Sequence, residues 1–124
     1  FDLDGTLLDR NSTLEAFCFA QHAKFNLVMN RDVYCKRLVE LDANGYVRKE
    51  KVYDQIVKEN NWSTDLNDSL FEDYMNHFHE YCVAFRGLHE TLEELRRQKY
   101  LIGMITNGRY EGQQASLKAL GIEL

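Results

Sequence analysis

The sequence contains no proline and only three cysteines among its 124 residues. Ordinary proteins use proline freely in loops, and this chain begins at Phe1 rather than at a methionine and ends at Leu124. We therefore expect a piece of a longer protein that is truncated at both ends. The cysteines are far apart and form no Cys-x-x-Cys pair, which argues against a zinc site and predicts free thiols in a reducing cytoplasm.

Long apolar runs and clusters of positive charge are also missing. No stretch approaches the roughly 18 consecutive apolar residues of a membrane span, and no signal-peptide pattern opens the chain. The 15 basic and 20 acidic residues give a formal net charge of −5, so neither a membrane nor a nucleic acid is expected as a partner. The composition, 44% hydrophobic and 28% charged, is that of a globular, soluble domain.

The first seven residues, FDLDGTL, place two acids at the end of a predicted strand. Residues two apart in a strand share a face, so Asp2 and Asp4 can face one space while Phe1 and Leu3 face another. Gly5 then permits a tight turn. Two neighbouring carboxylates suit Mg²⁺ and can divide the roles of nucleophile and proton donor. An ordinary Asp-Gly turn is the alternative interpretation.

A second stretch supports the functional interpretation of the first. Residues 100–105 have the apolar pattern of a short buried strand, and it leads directly into Thr106, Asn107 and Gly108. A hydroxyl, an amide and a flexible backbone are groups that bind phosphate oxygens. In parallel sheets, ligands bind beyond the carboxyl ends of the strands, where both stretches are predicted to lie.

The run Asp2–Leu7 and the turn Thr106–Gly108 resemble the first and second motifs of the haloacid dehalogenase superfamily of aspartate-nucleophile phosphohydrolases. The helical sequence between them is similar to that of members with a helical cap, such as phosphoglycolate phosphatases and nucleotide phosphatases. The resemblance implies a Mg²⁺-dependent cytoplasmic phosphatase that hydrolyses a small phosphorylated metabolite, a phosphate monoester, through an aspartyl-phosphate intermediate.

The resemblance also implies individual roles. Asp2 would be the nucleophile and Asp4 the proton donor, both would contribute to the Mg²⁺ site, and Thr106, Asn107 and Gly108 would bind the substrate phosphate. The acid at position 4 favours ester hydrolysis over carbon–halogen cleavage, because a halide leaves without a proton. The lysine and further acids of the family's later motifs have no counterpart here, so we expect this chain to bind Mg²⁺ weakly and to turn over little substrate.

Helical periodicity fills most of the remaining sequence. A capping box at Ser12–Glu15 predicts the first helix, and five more helices are predicted over 27–44, 48–60, 65–81, 88–98 and 110–120. The expected fold is α/β: a partial Rossmann-like parallel sheet core, formed by residues 1–9 and 84–124, with an inserted helical-bundle cap of residues 10–83.

Two other functions fit the same residues. A phosphomutase would return the phosphoryl group of an aspartyl-phosphate to a sugar, and a catalytically silent domain would use its helices only as an interaction surface. The intact Asp2, Asp4, Thr106 and Asn107 argue against the silent domain. The identity of the substrate and the oligomeric state cannot be derived from the sequence.

Overall fold

A computed structural model describes residues 1–122 of the chain. The chain divides into two compact units, of which unit 1 comprises Phe1–Thr13 and Cys82–Leu124 and unit 2 comprises Leu14–Tyr81. Each unit has a hydrophobic cluster of its own. Within the described part of the chain, no helix is both long enough and apolar enough to cross a membrane.

Residues 1–122 contain six α-helices. These are α1 (Arg10–Phe25), α2 (Arg31–Asp42), α3 (Lys49–Glu59), α4 (Asp65–His77), α5 (Leu88–Arg97) and α6 (Tyr110–Ala119), with short 3₁₀ segments at Ala43–Gly45 and Phe78–Tyr81. The helices predicted over 48–60, 88–98 and 110–120 agree with α3, α5 and α6 to within one residue at each end. The second predicted helix starts later than expected, because the side chain of Asn30 caps α2 by accepting the backbone N–H groups of Asp32 and Val33.

The first helix is capped by a different residue from the one predicted. The carboxylate of Asp9 accepts the backbone N–H of Ser12 at 3.1 Å and its hydroxyl at 2.8 Å. The carbonyl of Asp9 accepts the backbone N–H of Thr13 at 3.0 Å. Ser12 therefore lies inside α1, and the predicted capping box is wrong, because α1 begins at Arg10 and Asp9 accepts the N–H and the hydroxyl of Ser12.

Unit 2 is a helical bundle with a dense apolar interior. Phe17 on α1 makes edge-to-face contacts with the rings of Tyr74, Phe78 and Tyr81, at centroid distances of 5.7 to 5.9 Å. Such ring contacts add to the stabilisation that comes from burial alone. The fully buried members of the interior are Leu14, Cys18, Tyr34, Leu38, Tyr53, Ile56 and Leu70.

A buried glutamine organises the polar groups inside unit 2. Gln21 accepts the hydroxyl hydrogens of Tyr34 at 2.6 Å and Tyr53 at 3.1 Å. Its amide nitrogen lies 3.1 Å from both the carbonyl of Leu70 and the carboxylate of Asp73. Burial raises the pKa of both tyrosines, so their hydroxyls stay neutral donors and this network is satisfied internally.

The described residues contain no β-sheet, so the predicted Rossmann-like parallel sheet core and its strand over 100–105 are wrong. Isolated bridges join Leu8 to Asp4 and to Ala84. Residues 103–105 form two backbone hydrogen bonds, both with Phe1, at 2.8 and 2.9 Å. A sheet requires paired neighbours along the length of a strand, and pairing with one residue does not extend into a ladder.

The side chains of residues 101–105 give a second reason. Leu101 and Ile105 are 102% and 85% exposed, so this segment is not buried on both faces as a central parallel strand would be. The apolar cluster of unit 1 instead joins the N-terminal turn to α5 and α6. Its buried members are Leu3, Leu7, Leu8, Leu88, Leu92, Leu117, Leu120 and Ile122.

Candidate active site

The first motif forms a closed turn around one carbonyl group. The carbonyl oxygen of Leu3 accepts the backbone N–H groups of residues 6–8 at 3.2, 2.9 and 2.9 Å, and Gly5 donates to the carbonyl of Leu8 at 2.9 Å. Gly5 has a φ of +78°, a conformation that strains other residue types. The turn therefore has a fixed backbone, and the buried Leu3 and Leu8 anchor Asp4 within it.

The two acids of the motif lie in different environments. Asp2 is exposed and its Oδ1 accepts the N–H of Leu3 at 2.9 Å, whereas Asp4 is half-buried. The expected alternation holds for Leu3, which is fully buried, but Phe1 is 48% exposed. The exposed carboxylate at position 2 is accessible to a reacting group from solvent.

The side chain of Gln113 joins the first motif to the second. Its Nε2 lies 3.4 Å from Oδ2 of Asp4, and its Oε1 accepts the hydroxyl of Thr106 at 3.0 Å. Both contacts are partly buried. Two stretches that are a hundred residues apart in the sequence are thus separated by one side chain in space.

The second motif is a turn in which a glycine leaves room for Gln113. The backbone N–H of Gly108 lies 3.4 Å from the hydroxyl oxygen of Thr106. A Cβ atom at position 108 would overlap the side chain of Gln113. Asn107 is exposed between these two residues. The turn therefore presents the Thr106 hydroxyl, which is linked to Asp4 through Gln113, and the exposed Asn107 amide next to it in the sequence. Both are groups that can bind an anion.

The sequence analysis did not identify Gln113. The available signal is its position on α6, because Gln113, Leu117 and Leu120 follow the i, i+4, i+7 spacing of one helix face. The two leucines are buried in the cluster of unit 1. A polar residue on the apolar stripe of a helix that follows a predicted phosphate-binding motif is a candidate for contact with that motif.

The half-buried thiol of Cys82 lies near Ser116 and Asp4. Burial raises the pKa of Cys82, and the negative charge of Asp4 raises it further, while a hydrogen bond with Ser116 lowers it. Ser116 is buried on α6. The net shift is upward, which favours the protonated thiol at neutral pH.

The acids of the first motif are the predicted ligands of a metal ion. No group of three or more histidine, cysteine, aspartate or glutamate residues that could hold a metal ion occurs within residues 1–122. Mg²⁺ binds through one or two carboxylates and keeps several waters, so the oxygen donors of Asp2 and Asp4 fit this ion as a partial site. Zn²⁺, which prefers nitrogen and sulfur ligands, does not fit them.

A comparison with protein families agrees with these two motifs. The sequence model of haloacid dehalogenase-like hydrolases matches residues 1–124. The chain belongs to the haloacid dehalogenase-like hydrolase family. The resemblance inferred from the two motifs is confirmed at the level of this family.

Curated relatives of this haloacid dehalogenase-like chain carry the name pyrophosphatase PpaX. Those of Bacillus thuringiensis (strain Al Hakam), Bacillus cereus (strain AH820) and Bacillus anthracis (strain A0248) are each 27% identical to it over 121 residues. The alignment covers 95% of this chain and 51% of each relative. The chain thus spans about half the length of the curated relatives it matches.

Proposed function

We propose that unit 1 carries the active site of a phosphatase that hydrolyses a small phosphate monoester through an aspartyl-phosphate intermediate. The observation that carries this proposal is the link from Asp4 through Gln113 to Thr106. It supports the proposal because nucleophilic attack and phosphate binding require the two motifs to act on one anion. Membership of a hydrolase family gives independent support.

The proposed roles follow from the chemistry of the side chains. The exposed carboxylate of Asp2 attacks phosphorus and forms an acyl phosphate as the ester oxygen departs. Asp4 gives a proton to that oxygen and later removes one from the water that hydrolyses the intermediate. Thr106, Asn107 and Gly108 bind the phosphate oxygens through a hydroxyl, an amide and a backbone N–H.

A magnesium ion is part of the proposal. Asp2 and Asp4 would hold it, and when bound it would offset the repulsion between the anionic ester and the two acids. The described residues supply only this pair of acids at the motif, so we expect weak Mg²⁺ binding by the 124-residue chain. Isothermal titration with MgCl₂ measures this, and tight binding that survives the Asp2→Asn change would refute the assignment.

Pyrophosphate is a second candidate substrate beside the phosphate monoester, since the curated relatives are named pyrophosphatases. In pyrophosphate the leaving group is phosphate. The same nucleophile would displace it while the turn at Thr106–Gly108 binds the phosphoryl group that is transferred. Phosphate release from pyrophosphate and from p-nitrophenyl phosphate, measured side by side, ranks the two substrate classes. A phosphomutase would instead transfer the phosphoryl group to a sugar phosphate and release little inorganic phosphate.

The decisive experiment replaces Asp2 by Asn in the complete gene product. We expect phosphate release in the presence of Mg²⁺ to fall by at least about 10³-fold, because the amide cannot form the acyl phosphate. Asp68→Asn, at an exposed acid on α4 in unit 2, is the matched control and should retain activity. Undiminished activity of the Asp2 variant would overturn the proposed function.

A further inference from the structure

Gln113 belongs to neither motif, yet it contacts both of them. We propose that Gln113 is a positioning residue that holds the carboxylate of Asp4 and the hydroxyl of Thr106 in their working orientations. This inference rests on the proposed function, because it assigns Gln113 a role in the reaction proposed for that site.

The donors and acceptors allow one orientation of the Gln113 amide. The hydroxyl of Thr106 donates to Oε1 at 3.0 Å, which directs Nε2 toward Oδ2 of Asp4 at 3.4 Å. In this orientation an N–H donor faces a carboxylate, which is a favourable charge-assisted contact. In the flipped orientation, the side-chain oxygen Oε1 of Gln113 would face the carboxylate of Asp4. Both groups are acceptors, so no hydrogen bond could form between them. Each contact therefore holds the Gln113 amide in the orientation that the other contact requires.

The backbone of Gln113 is fixed as well. Its N–H donates to the carbonyl of Arg109 at 2.9 Å in the first turn of α6. One turn later, Ser116 and Leu117 are buried, so α6 is anchored in unit 1 directly beside the amide. A side chain on an anchored helix can restrict its neighbours more tightly than one on a loop.

The glycine of the second motif gives independent support. A Cβ atom at position 108 would coincide with the side chain of Gln113. Gly108 therefore serves two purposes. Its backbone N–H lies beside the Thr106 hydroxyl, and its lack of a side chain leaves the space that the Gln113 amide occupies. An alanine at position 108 should displace Gln113 without removing any polar group of the proposed site.

The consequence for catalysis concerns the departure of the leaving group. A contact at Oδ2 restricts rotation of the Asp4 carboxyl group, so proton donation starts from one orientation. Without the amide, Asp4 would still be present but less well oriented. The loss should therefore be greatest for substrates whose leaving oxygen needs a proton, and small for those whose leaving group is stable as an anion.

The experiment compares two substrates in the complete gene product. Gln113→Leu removes the amide at similar volume, and kcat/KM is measured with p-nitrophenyl phosphate and with ethyl phosphate in the presence of Mg²⁺. We expect a loss of up to about tenfold for the nitrophenyl ester and at least about 10²-fold for the ethyl ester, within the range of general acid catalysis. Gln114→Leu, at the adjacent exposed glutamine, is the control and should change neither value by more than about twofold.

Gly108→Ala is the second variant, and it keeps Gln113 in the sequence while occupying its space. It should reproduce the unequal loss on the two esters, and it tests the inference even if Gln113→Leu fails to fold, as judged by circular dichroism. Equal losses on both esters, or none, in folded variants of an enzyme that depends on Asp2 would overturn the positioning role alone. No Asp2-dependent turnover by the unaltered protein would overturn the proposed function, and this inference with it.

Discussion

The two units of the chain satisfy their polar groups in different ways. In unit 2, helices pair most backbone groups within themselves, and the polar side chains of the interior pair with one another around Gln21. In unit 1, a turn around the carbonyl of Leu3 and two bonds to Phe1 hold the segments that carry the motifs. The unit with less regular structure is the one that carries both motifs.

Two glutamines show what this difference means. Gln21 is 1% exposed and makes its contacts with side chains and a carbonyl inside the bundle. Gln113 is half-buried and joins two turns that each carry proposed site residues. The same amide therefore stabilises an interior in one unit and orients reactive groups in the other, and its neighbours rather than its type decide its role.

The largest effect is expected at a buried charge in unit 2. Lys49 is 6% exposed and forms a salt bridge with Asp42, which is 1% exposed. The Lys49 ammonium lies 4.9 Å from the centroid of the Tyr74 ring. Lys49→Met should lower the free energy of unfolding by about 3–5 kcal/mol, because it leaves the charge of Asp42 buried without this partner. The fluorescence of Trp62, which is the single tryptophan and lies in unit 2, reports unfolding in urea.

The control for this variant is Lys58→Met, at an exposed lysine on the same helix, where a change of less than about 0.5 kcal/mol is expected. The double variant Asp42→Asn, Lys49→Met removes both charges and should recover part of the loss. Equal effects at Lys49 and Lys58 would show that the buried pair does not contribute to the stability of unit 2.

A pair of leucines gives a direct comparison of the two units. Leu38 in unit 2 is fully buried, whereas Leu101 in unit 1 is 102% exposed. Leu38→Ala should cost about 2–5 kcal/mol through lost burial and a residual cavity, and Leu101→Ala should stay within about 0.5 kcal/mol. Urea denaturation followed by circular dichroism measures both. A large loss at Leu101 would mean that its side chain is buried in solution, contrary to the exposed segment described above.

The parts of the fold that the sequence predicted well are those with local causes. The stripe of Val52, Tyr53 and Ile56 defines α3, and the prediction for that helix is correct to within one residue at each end. The predicted start of α1 at Ser12 is wrong, because the acceptor that caps this helix is the carboxylate of Asp9, three residues earlier in the chain. The sheet was predicted wrongly, since a strand depends on partners that its own residues do not specify.

The candidate site divides in the same way. Asp2, Asp4 and the Thr106 turn were identified because their residue types and their order along the chain resemble two family motifs. Gln113 was missed because its role depends on where α6 lies relative to the first turn, which is a matter of tertiary packing. The catalytic and metal-binding roles of the motif residues stay predictions until the Asp2 and Gln113 variants are measured.

The smallest effect is expected at a salt bridge on the surface of unit 2, between α2 and α3. Arg37 and a weaker contact from Gln55 hold the pKa of Glu59 at about 2, below its ordinary value of 4.5. A lowered folded-state pKa stabilises the fold above pH 4.5, and the contribution is lost as the pH falls toward 2. Glu59→Gln should therefore lower the urea midpoint slightly at pH 7 and by less near pH 3. Because the side chains of Arg37 and Glu59 are 36% and 28% exposed, solvent screens the pair, and the effect should be far below that at Lys49.

The control is Glu72→Gln, at an exposed acid on α4, which should show no such pH dependence. If the effect of Glu59→Gln persists unchanged near pH 3, this ion pair is not its cause.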